Sequence, residues 1–314
     1  MIEDLHSGLR YVGEAPFGSC FQQAATNVLD AMGLEAAGWA PGLSWGFSWP
    51  GRGAKLGAGG RWGANLEAQC GLRVEVRHAG SWAEAQLMER SQLEAGLPVI
   101  AGVDSFGIPS PHRGRTHLVH AVIVLCAEPD GVTFCDPMNE PRPSRIAPEQ
   151  YAGLRAASCV ERHEAMLCSG ALERQLDSLA AAASLAADAT SHGGADAAVL
   201  AAFAVAAETF EPGDLDVADV AAERLYASRV VAAAAETDPG FLPAAGALTG
   251  LARRWYLLHT LALEAREGRS LARTRVRKLL ADLADRELAA RGSLATATGE
   301  ATATGEAIHE RSMR

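Results

Sequence analysis

The chain has 314 residues, nearly half of them apolar, and a formal net charge of −10. This length allows two domains, each with its own core. The negative charge argues against broad nucleic-acid binding, which needs an excess of Lys and Arg to contact phosphates. No apolar run approaches the roughly 20 residues that span a bilayer, and the polar N-terminus MIEDLHSGLR does not look like a signal peptide. We therefore expect a cytoplasmic protein that does not enter membranes.

The first predicted element is a helix that begins near Cys20, after the small and flexible residues that precede it. Gly33 follows it as a C-terminal stop. At a helix N-terminus, the dipole and the unpaired N–H groups favour a thiolate and could also bind an oxyanion. Cys20 is therefore a candidate nucleophile, although a lone cysteine at a helix start is more often structural. Apolar positions at helical spacing predict one buried face, formed by Ala24, Ala25, Val28, Leu29 and Met32.

Strand-like runs dominate the next part of the chain. The apolar run Leu97–Val103 predicts a buried strand. A second apolar run, His120–Ala127, precedes the turn sequence Glu128–Gly131, and a third run, Val132–Asp136, follows that turn. Residues 120–136 therefore predict a β-hairpin.

The predicted hairpin contains the two residues that a cysteine nucleophile needs. His120 starts one arm and Asp136 ends the other, and strand alternation predicts both side chains on the same face of the sheet. A thiolate nucleophile usually needs a positioned base, and an Asp beside an imidazole fixes its tautomer. Cys20, His120 and Asp136 therefore form a candidate catalytic triad. His117 is a rival base, but only His120 runs directly into the predicted strand.

The composition changes near residue 169, where an Ala-rich and helical part begins. Five helices are predicted there, with stop signals at 191–194, 211–213 and 238–240. The repeated sequence ATATGE near the C-terminus lacks apolar bulk and predicts disorder. We expect an α+β domain over 1–168, an all-α domain over 169–291 and a disordered tail over 292–314.

Neither a metal nor a bound cofactor is expected from the motifs. The six cysteines include no C-x-x-C pair, and no metal-ligand spacing is present. The glycine-rich stretch Gly53–Gly63 lacks both the G-K-[ST] signature and the Rossmann spacing that bind phosphates. In a reducing cytosol, the cysteines are expected to be free thiols.

The N-terminal half contains four stretches with a family likeness, in the expected order: Gly18–Glu35, Leu43–Trp49, Leu97–Pro109 and His117–Pro137. Through them the chain resembles the butirosin biosynthesis protein H N-terminal family, which is itself similar to the papain-like peptidases that cut bacteriocin leaders. The stretch HLVHAVIVLCAEPDGVTFCDP is the most specific of the four. The resemblance implies a papain-like fold, in which the helix that bears the cysteine accompanies an antiparallel sheet. The helical second part looks like the domain that often follows in this family.

The resemblance also implies an activity. It points to acyl transfer in natural-product or antibiotic biosynthesis, from the phosphopantetheine arm of an acyl or peptidyl carrier protein to a small-molecule amine. By motif match, Cys20 takes the acyl group, His120 acts as the base and Asp136 orients His120. A papain-like peptidase or amidase, and a non-catalytic binding module, are the alternatives.

One position departs from the papain-like pattern. Papain-like enzymes usually place a Gln six residues before the nucleophile to donate to the oxyanion, but here that position is Glu14. Gln22 or Gln23 could substitute, or backbone N–H groups could suffice. Asp104, in the family-like stretch VDSFGIP, could bind an amine substrate, although an Asp at a strand end is more often a cap or turn residue.

A basic segment in the helical part offers a docking site for the carrier protein. Carrier proteins are typically acidic, so a cluster of basic side chains would attract them. A solvated helix face is the simpler interpretation of the same charges. The cluster consists of Arg269, Arg273, Arg277 and Lys278.

Overall fold

We describe the fold from a computed structural model of the chain. The structure describes residues 20–32, 43–58, 62–71, 73–110, 113–136, 138–169, 176–266, 268 and 273–312. It contains an antiparallel sheet and a C-terminal helical region, which confirms the mixed α and β class expected from the sequence. None of the helices within these residues is both long enough and apolar enough to cross a membrane.

The elements are numbered in chain order. The strands are β1 (Phe47–Ser48), β2 (Gly57–Ala58), β3 (Arg73–Arg77), β4 (Val99–Asp104), β5 (Val119–Glu128), β6 (Gly131–Asp136), β7 (Glu140–Ile146) and β8 (Ala165–Ser169). The helices are α1 (Cys20–Ala31), α2 (Trp62–Cys70), α3 (Trp82–Glu94), α4 (Pro148–Arg155), α5 (Ser178–Ala206), α6 (Ala218–Thr237), α7 (Leu242–Arg266) and α8 (Arg273–Ser312). The predicted strand before residue 104 and the predicted hairpin correspond to β4 and to β5 with β6.

The chain divides into two compact units. The sheet unit comprises Met1–Gly38 and Leu66–Gln175, and the helical unit comprises Trp39–Asn65 and Leu176–Arg314. This division differs from the predicted boundary at residue 168, which falls inside β8. It differs because long-range contacts, not local composition, decide which segments share a core.

The sheet unit is built on six strands in the order β3-β8-β4-β5-β6-β7, and all the pairings are antiparallel. Every residue of β4 is buried, as expected for a strand with a continuous apolar sequence. The main core cluster contains Val99, Ala101, Val103, Val122, Val124, Phe134 and Tyr151, among others. Sequence analysis did not identify β8, which lies between β3 and β4 in the sheet.

Gly102 allows a close approach between α1 and β4. A Cβ atom at this position would lie 3.2 Å from Cζ of Phe21 and 3.3 Å from both the Glu164 carbonyl oxygen and Cγ2 of Val119. These distances are shorter than ordinary van der Waals contacts, so a side chain here would push Phe21 away. Because Phe21 follows Cys20 directly, Gly102 helps to set the position of the cysteine.

A buried ion pair connects α3 and α4 to the sheet. The Arg155 guanidinium lies 2.7 Å from Oε1 of Glu89, and its side chain is fully buried. It also donates to the backbone carbonyls of Gly102, His163 and Glu164 over 2.6 to 2.7 Å. Arg155 therefore supplies donors to buried acceptors on several segments.

The variant Arg155→Met is expected to destabilise the chain by about 3–5 kcal/mol, because it leaves the buried Glu89 carboxylate without its counterion and takes a donor away from three carbonyls. Chemical denaturation followed by circular dichroism measures this change. Arg145→Met is the matched control, since Arg145 is exposed and pairs with Glu128 and Asp130; its free energy of unfolding should hardly change. Equal effects in the two variants would contradict this role for Arg155.

The helical unit contains α5 to α8 and the two short strands. Its core residues include Phe203, Leu248, Trp255, Leu280 and Leu294, all at most 2 % exposed. Sequence analysis predicted a break at 191–194, but α5 continues through it. The alanines on both sides favour helix, and the burial of Ala189 and Leu200 in the core offsets the cost of two glycines, about 1 kcal/mol each.

The segment Trp39–Asn65 belongs to the helical unit, although the predicted boundary at residue 168 would place it in the first domain. The backbone N–H of Trp45 donates to Oδ2 of Asp188 over 2.7 Å. The buried Arg224 guanidinium lies 4.4 Å from the Trp45 ring centroid, a cation–π distance. These contacts join residues far apart in sequence, so composition alone could not reveal them.

The C-terminal region also differs from its prediction. Sequence analysis placed a disordered tail at 292–314, but α8 continues past Arg291 to Ser312. Leu294 and Ala297 are buried in the structure. These two side chains give the start of the low-complexity segment an apolar face, which favours helix over disorder.

Candidate active site

Cys20 is the first residue of α1, as the sequence predicted. The helix buries Ala24, Ala25, Val28 and Leu29, which confirms most of the predicted face; Met32 is only half-buried, and Gly33 lies outside the described residues. Cys20 itself is half-buried. The first N–H groups of a helix have no partner within the helix, so the sulfur lies where backbone donors are available to an anion.

His120 and Asp136 lie together at one end of the hairpin. The register pairs Val103 with His120, and Ile123 with Cys135. Nε2 of His120 lies 3.0 Å from Oδ2 of Asp136, and the two side chains are 11 % and 2 % exposed. The prediction that both side chains point to the same face of the sheet is confirmed.

The His120 imidazole also contacts the nucleophile candidate. It forms a hydrogen bond with the Cys20 side chain. Burial would lower the pKa of His120, but the hydrogen bonds and charges of Asp136 and Cys20 outweigh it and raise this pKa to about 9. Since Nε2 is next to Asp136, Nδ1 is the ring nitrogen left for the sulfur. The imidazole is therefore positioned to form an ion pair with a Cys20 thiolate.

The carboxylate of Asp136 is fixed by the turn that follows β6. Its Oδ1 accepts from the backbone N–H groups of Met138 and Asn139, at 3.2 and 3.3 Å. Nδ2 of Asn139 donates to Oδ2 over 2.9 Å and lies 3.2 Å from Nε2 of His120. Sequence analysis missed Asn139; the available signal was an Asn three residues after an Asp at the end of a strand, which is common turn chemistry.

Asp104 and His117, the residues predicted as a substrate-binding candidate and a rival base, form a separate pair. Nδ1 of His117 lies 2.6 Å from Oδ2 of Asp104. The Asp104 carboxylate also accepts from the backbone N–H of Phe106 and forms a hydrogen bond with Cys159. The structure therefore separates the two histidines: His120 contacts Cys20 and Asp136, and His117 contacts Asp104. Sequence analysis did not identify Phe106 or Cys159 at this site.

The oxyanion candidates lie in the first turn of α1. Gln22 is half-buried and Gln23 is buried. Glu14 lies outside the described residues. Gln22 and Gln23 belong to the same helical turn as Cys20, so their backbone N–H groups point along the helix axis toward its N-terminus.

The proposed docking residues are partly neutralised. Arg273 forms an ion pair with Glu211, and Nη1 of Arg277 lies 3.4 Å from Oε1 of Glu208. Lys278 is exposed, and Arg269 lies outside the described residues. The segment therefore presents less net positive charge than its sequence indicates.

Within the described ranges, no three or more His, Cys, Asp or Glu side chains are placed to hold a metal ion together. Asp104 contacts both His117 and Cys159, but these three residues do not form such a group.

Comparisons with family models and with curated proteins do not assign this chain to a family. No protein-family model matches the sequence. No curated protein matches it either. The contacts of the site's own residues therefore indicate its chemistry.

Proposed function

We propose that this chain is a papain-like, cysteine-dependent acyltransferase that moves an acyl or aminoacyl group from a carrier-protein thioester to an amine. The observation that carries the proposal is the continuous contact from Cys20 through His120 to Asp136 inside one compact unit. A half-buried sulfur, a base and a buried orienting carboxylate are the three parts of a nucleophilic site. The likeness to the butirosin biosynthesis protein H N-terminal family favours transfer to an amine, in the biosynthesis of an antibiotic or another natural product.

The first half-reaction forms an acyl-enzyme. The Cys20 thiolate attacks the thioester carbonyl, and a new C–S bond forms as the bond to the pantetheine sulfur breaks. The leaving thiolate takes a proton, which the His120 imidazolium supplies. Exchange of one thioester for another is nearly neutral in free energy, so the cysteine can accept the acyl group without a further energy source.

The second half-reaction passes the acyl group to the amine. The nitrogen attacks the carbonyl carbon of acyl-Cys20, a C–N bond forms and the bond to the Cys20 sulfur breaks. His120 accepts the proton that the nitrogen loses, and the thiolate returns beside the imidazolium. Asp136 keeps Nε2 of His120 engaged, so Nδ1 faces the reacting atoms in both half-reactions.

The oxyanion of each half-reaction needs donors that are already in place. The first backbone N–H groups of α1 supply them, because Cys20 is the first helical residue. Gln22 and Gln23 are the side-chain candidates in the same turn. This arrangement replaces the glutamine that papain-like enzymes usually place six residues before the cysteine, where this chain has Glu14.

The donor partner is an acidic carrier protein, and its phosphopantetheine arm bears the acyl group. Among the four proposed docking residues, Lys278 is exposed, whereas Arg273 and Arg277 already pair with glutamates. A carrier that docks here would have to compete with these glutamates for both arginines. Docking should therefore be weak and should weaken further as salt increases.

Intact-mass spectrometry with an S-acetyl-N-acetylcysteamine thioester tests the proposal, because this small donor copies the end of the pantetheine arm. The chain should gain the mass of one acetyl group on Cys20. An added amine should then accelerate the loss of this group and yield the amide, with ping-pong kinetics. Cys126→Ala is the matched control, and it should acetylate like the wild type.

Each other outcome identifies a competing function. Rapid loss of the acetyl group to water, without acceleration by the amine, would indicate a peptidase or amidase that uses the same three residues. An unacetylated chain whose Cys20 reacts with iodoacetamide no faster than an ordinary exposed thiol would indicate a non-catalytic binding module. Either result would overturn the transferase proposal.

A further inference from the structure

A second Asp–His pair lies beside the candidate triad. Nδ1 of His117 lies 2.6 Å from Oδ2 of Asp104, and the two side chains are 63 % and 7 % exposed. Because Nδ1–H donates to the carboxylate, the lone pair of the neutral His117 imidazole lies on Nε2. The pair therefore exposes an oriented hydrogen-bond acceptor.

Asp104 acts on His117 and not directly on a ligand. Its Oδ1 accepts from the backbone N–H of Phe106 over 3.0 Å, and Cys159 donates a further hydrogen bond. Burial would raise the pKa of Asp104, but the hydrogen bonds from His117 and Phe106 outweigh it and lower this pKa. The carboxylate is thus ionised, buried and already engaged, which leaves the exposed imidazole as the group that can meet a substrate.

The ring of His117 is held from a second side. Phe106 stacks on it with a centroid distance of 4.3 Å and an interplanar angle of 8°. Phe106 is itself 39 % exposed. A stacked pair at the surface offers an apolar contact next to the exposed nitrogen.

The local backbone does not need His117 to keep its shape. The backbone N–H of Ser105 donates to the Leu118 carbonyl over 2.9 Å, and that of Gly114 donates to the Phe106 carbonyl over 3.0 Å. The Ser105 hydroxyl donates to the Thr116 carbonyl over 3.2 Å. These bonds close the loop without using the His117 side chain. Holding an exposed imidazole in one orientation costs side-chain entropy, and these bonds do not depend on that orientation.

The pair is also close to the reacting groups. Asp104 and Gly102 are two residues apart on β4, so their Cα–Cβ directions share one face of the sheet. Phe21, the neighbour of Cys20, packs over Gly102 on that face. His117 precedes His120 by three residues, which limits the distance between their Cα atoms to about 10 Å. A small molecule bound at His117 can therefore extend to the site around Cys20.

We propose that His117, oriented by Asp104 and stacked on Phe106, binds the amine substrate of the acyl transfer. An N–H of the amine donates to Nε2 of His117, and the carbon skeleton of the amine contacts the exposed part of Phe106. This assignment rests on the proposed function. It adds a specificity site for the second half-reaction only, because the thioester donor needs no such acceptor.

The test separates the two half-reactions in the variants His117→Gln and His117→Phe. Phenylalanine keeps a ring against Phe106 but lacks Nε2. Both variants should be acetylated by the N-acetylcysteamine thioester within about twofold of the wild-type rate. Their KM for benzylamine in deacetylation should rise about tenfold, the effect of one lost hydrogen bond. His78→Gln, an exposed histidine elsewhere in the same unit, should leave both steps unchanged.

Two results would overturn this inference. One is an unchanged KM for benzylamine in both His117 variants. The other is an equal loss in the acetylation step, which would indicate a purely structural role. If the wild-type chain forms no acetyl-Cys20, the transferase proposal fails separately. ¹⁵N NMR of the histidines then tests His117 by itself: benzylamine should shift its Nε2 signal, whereas benzyl methyl ether, which has no N–H or O–H donor, should not. The absence of a shift with benzylamine would end the inference.

Discussion

Replacing Cys20 by serine is expected to abolish the acetyl adduct and to lower amine-dependent transfer by about 10³-fold or more. Serine is nearly the same size, so α1 and its contacts should be retained. Its hydroxyl has a much higher pKa than a thiol and does not form an ion pair with the imidazolium. Intact mass and amide formation, measured with the N-acetylcysteamine thioester, provide the two readouts.

The matched control is Cys126→Ala. Cys126 lies six residues beyond His120 on β5, about 20 Å along the strand. Its variant should keep the adduct and the turnover. Full transfer activity in Cys20→Ser would place the nucleophile elsewhere and would end the proposed mechanism.

Replacing Asp136 by alanine is expected to lower transfer by about 10²-fold to 10³-fold, because His120 loses the partner that fixes its tautomer. Asp136→Asn should lose less activity, since its amide oxygen in the place of Oδ2 accepts from Nε2–H, although its NH2 group no longer accepts from the backbone N–H groups of Met138 and Asn139. Papain-like proteases use an asparagine in this role. The comparison of the two variants therefore separates the orientation of His120 from the charge of its partner.

Both Asp136 variants should lower the pKa of His120, which ¹⁵N NMR of the imidazole measures directly. In the wild type, folding raises this pKa from 6.5 to about 9. The protonated imidazole therefore stabilises the fold fully below about pH 6.5, by about 3 kcal/mol, and this contribution is lost as the pH rises through about 9. Both Asp136 variants should lose stability mainly below about pH 6.5. Their free energy of unfolding should therefore change less than that of the wild type between about pH 6.5 and about pH 9.

Asp130→Ala provides the matched control for these measurements. Asp130 is on the hairpin turn, it is 81 % exposed and it pairs with Arg145. Its loss should change neither the pKa of His120 nor the transfer rate. If the pKa of His120 stayed near 9 in Asp136→Ala, the carboxylate would not be the group that stabilises the imidazolium.

The sequence by itself determined the local elements that position the candidate triad. The apolar spacing after Cys20 predicts α1, since helical periodicity depends only on neighbours three and four residues apart. The hairpin of β5 and β6 follows from two apolar runs around a Pro-Asp-Gly turn. The alternation of side chains along each strand then places His120 and Asp136 on one face. All of these inferences use information within about twenty residues.

Only the tertiary structure decided which distant residues share a core or a site. It assigns Trp39–Asn65 to the helical unit through Asp188 and Arg224, and it places β8 inside the sheet at a predicted boundary. It also separates the two histidines, because Asp104 lies next to His117 only after β4 and β5 pair. The physical reason is the same in each case: hydrogen bonds and burial between segments far apart in the chain leave no periodic pattern in either segment.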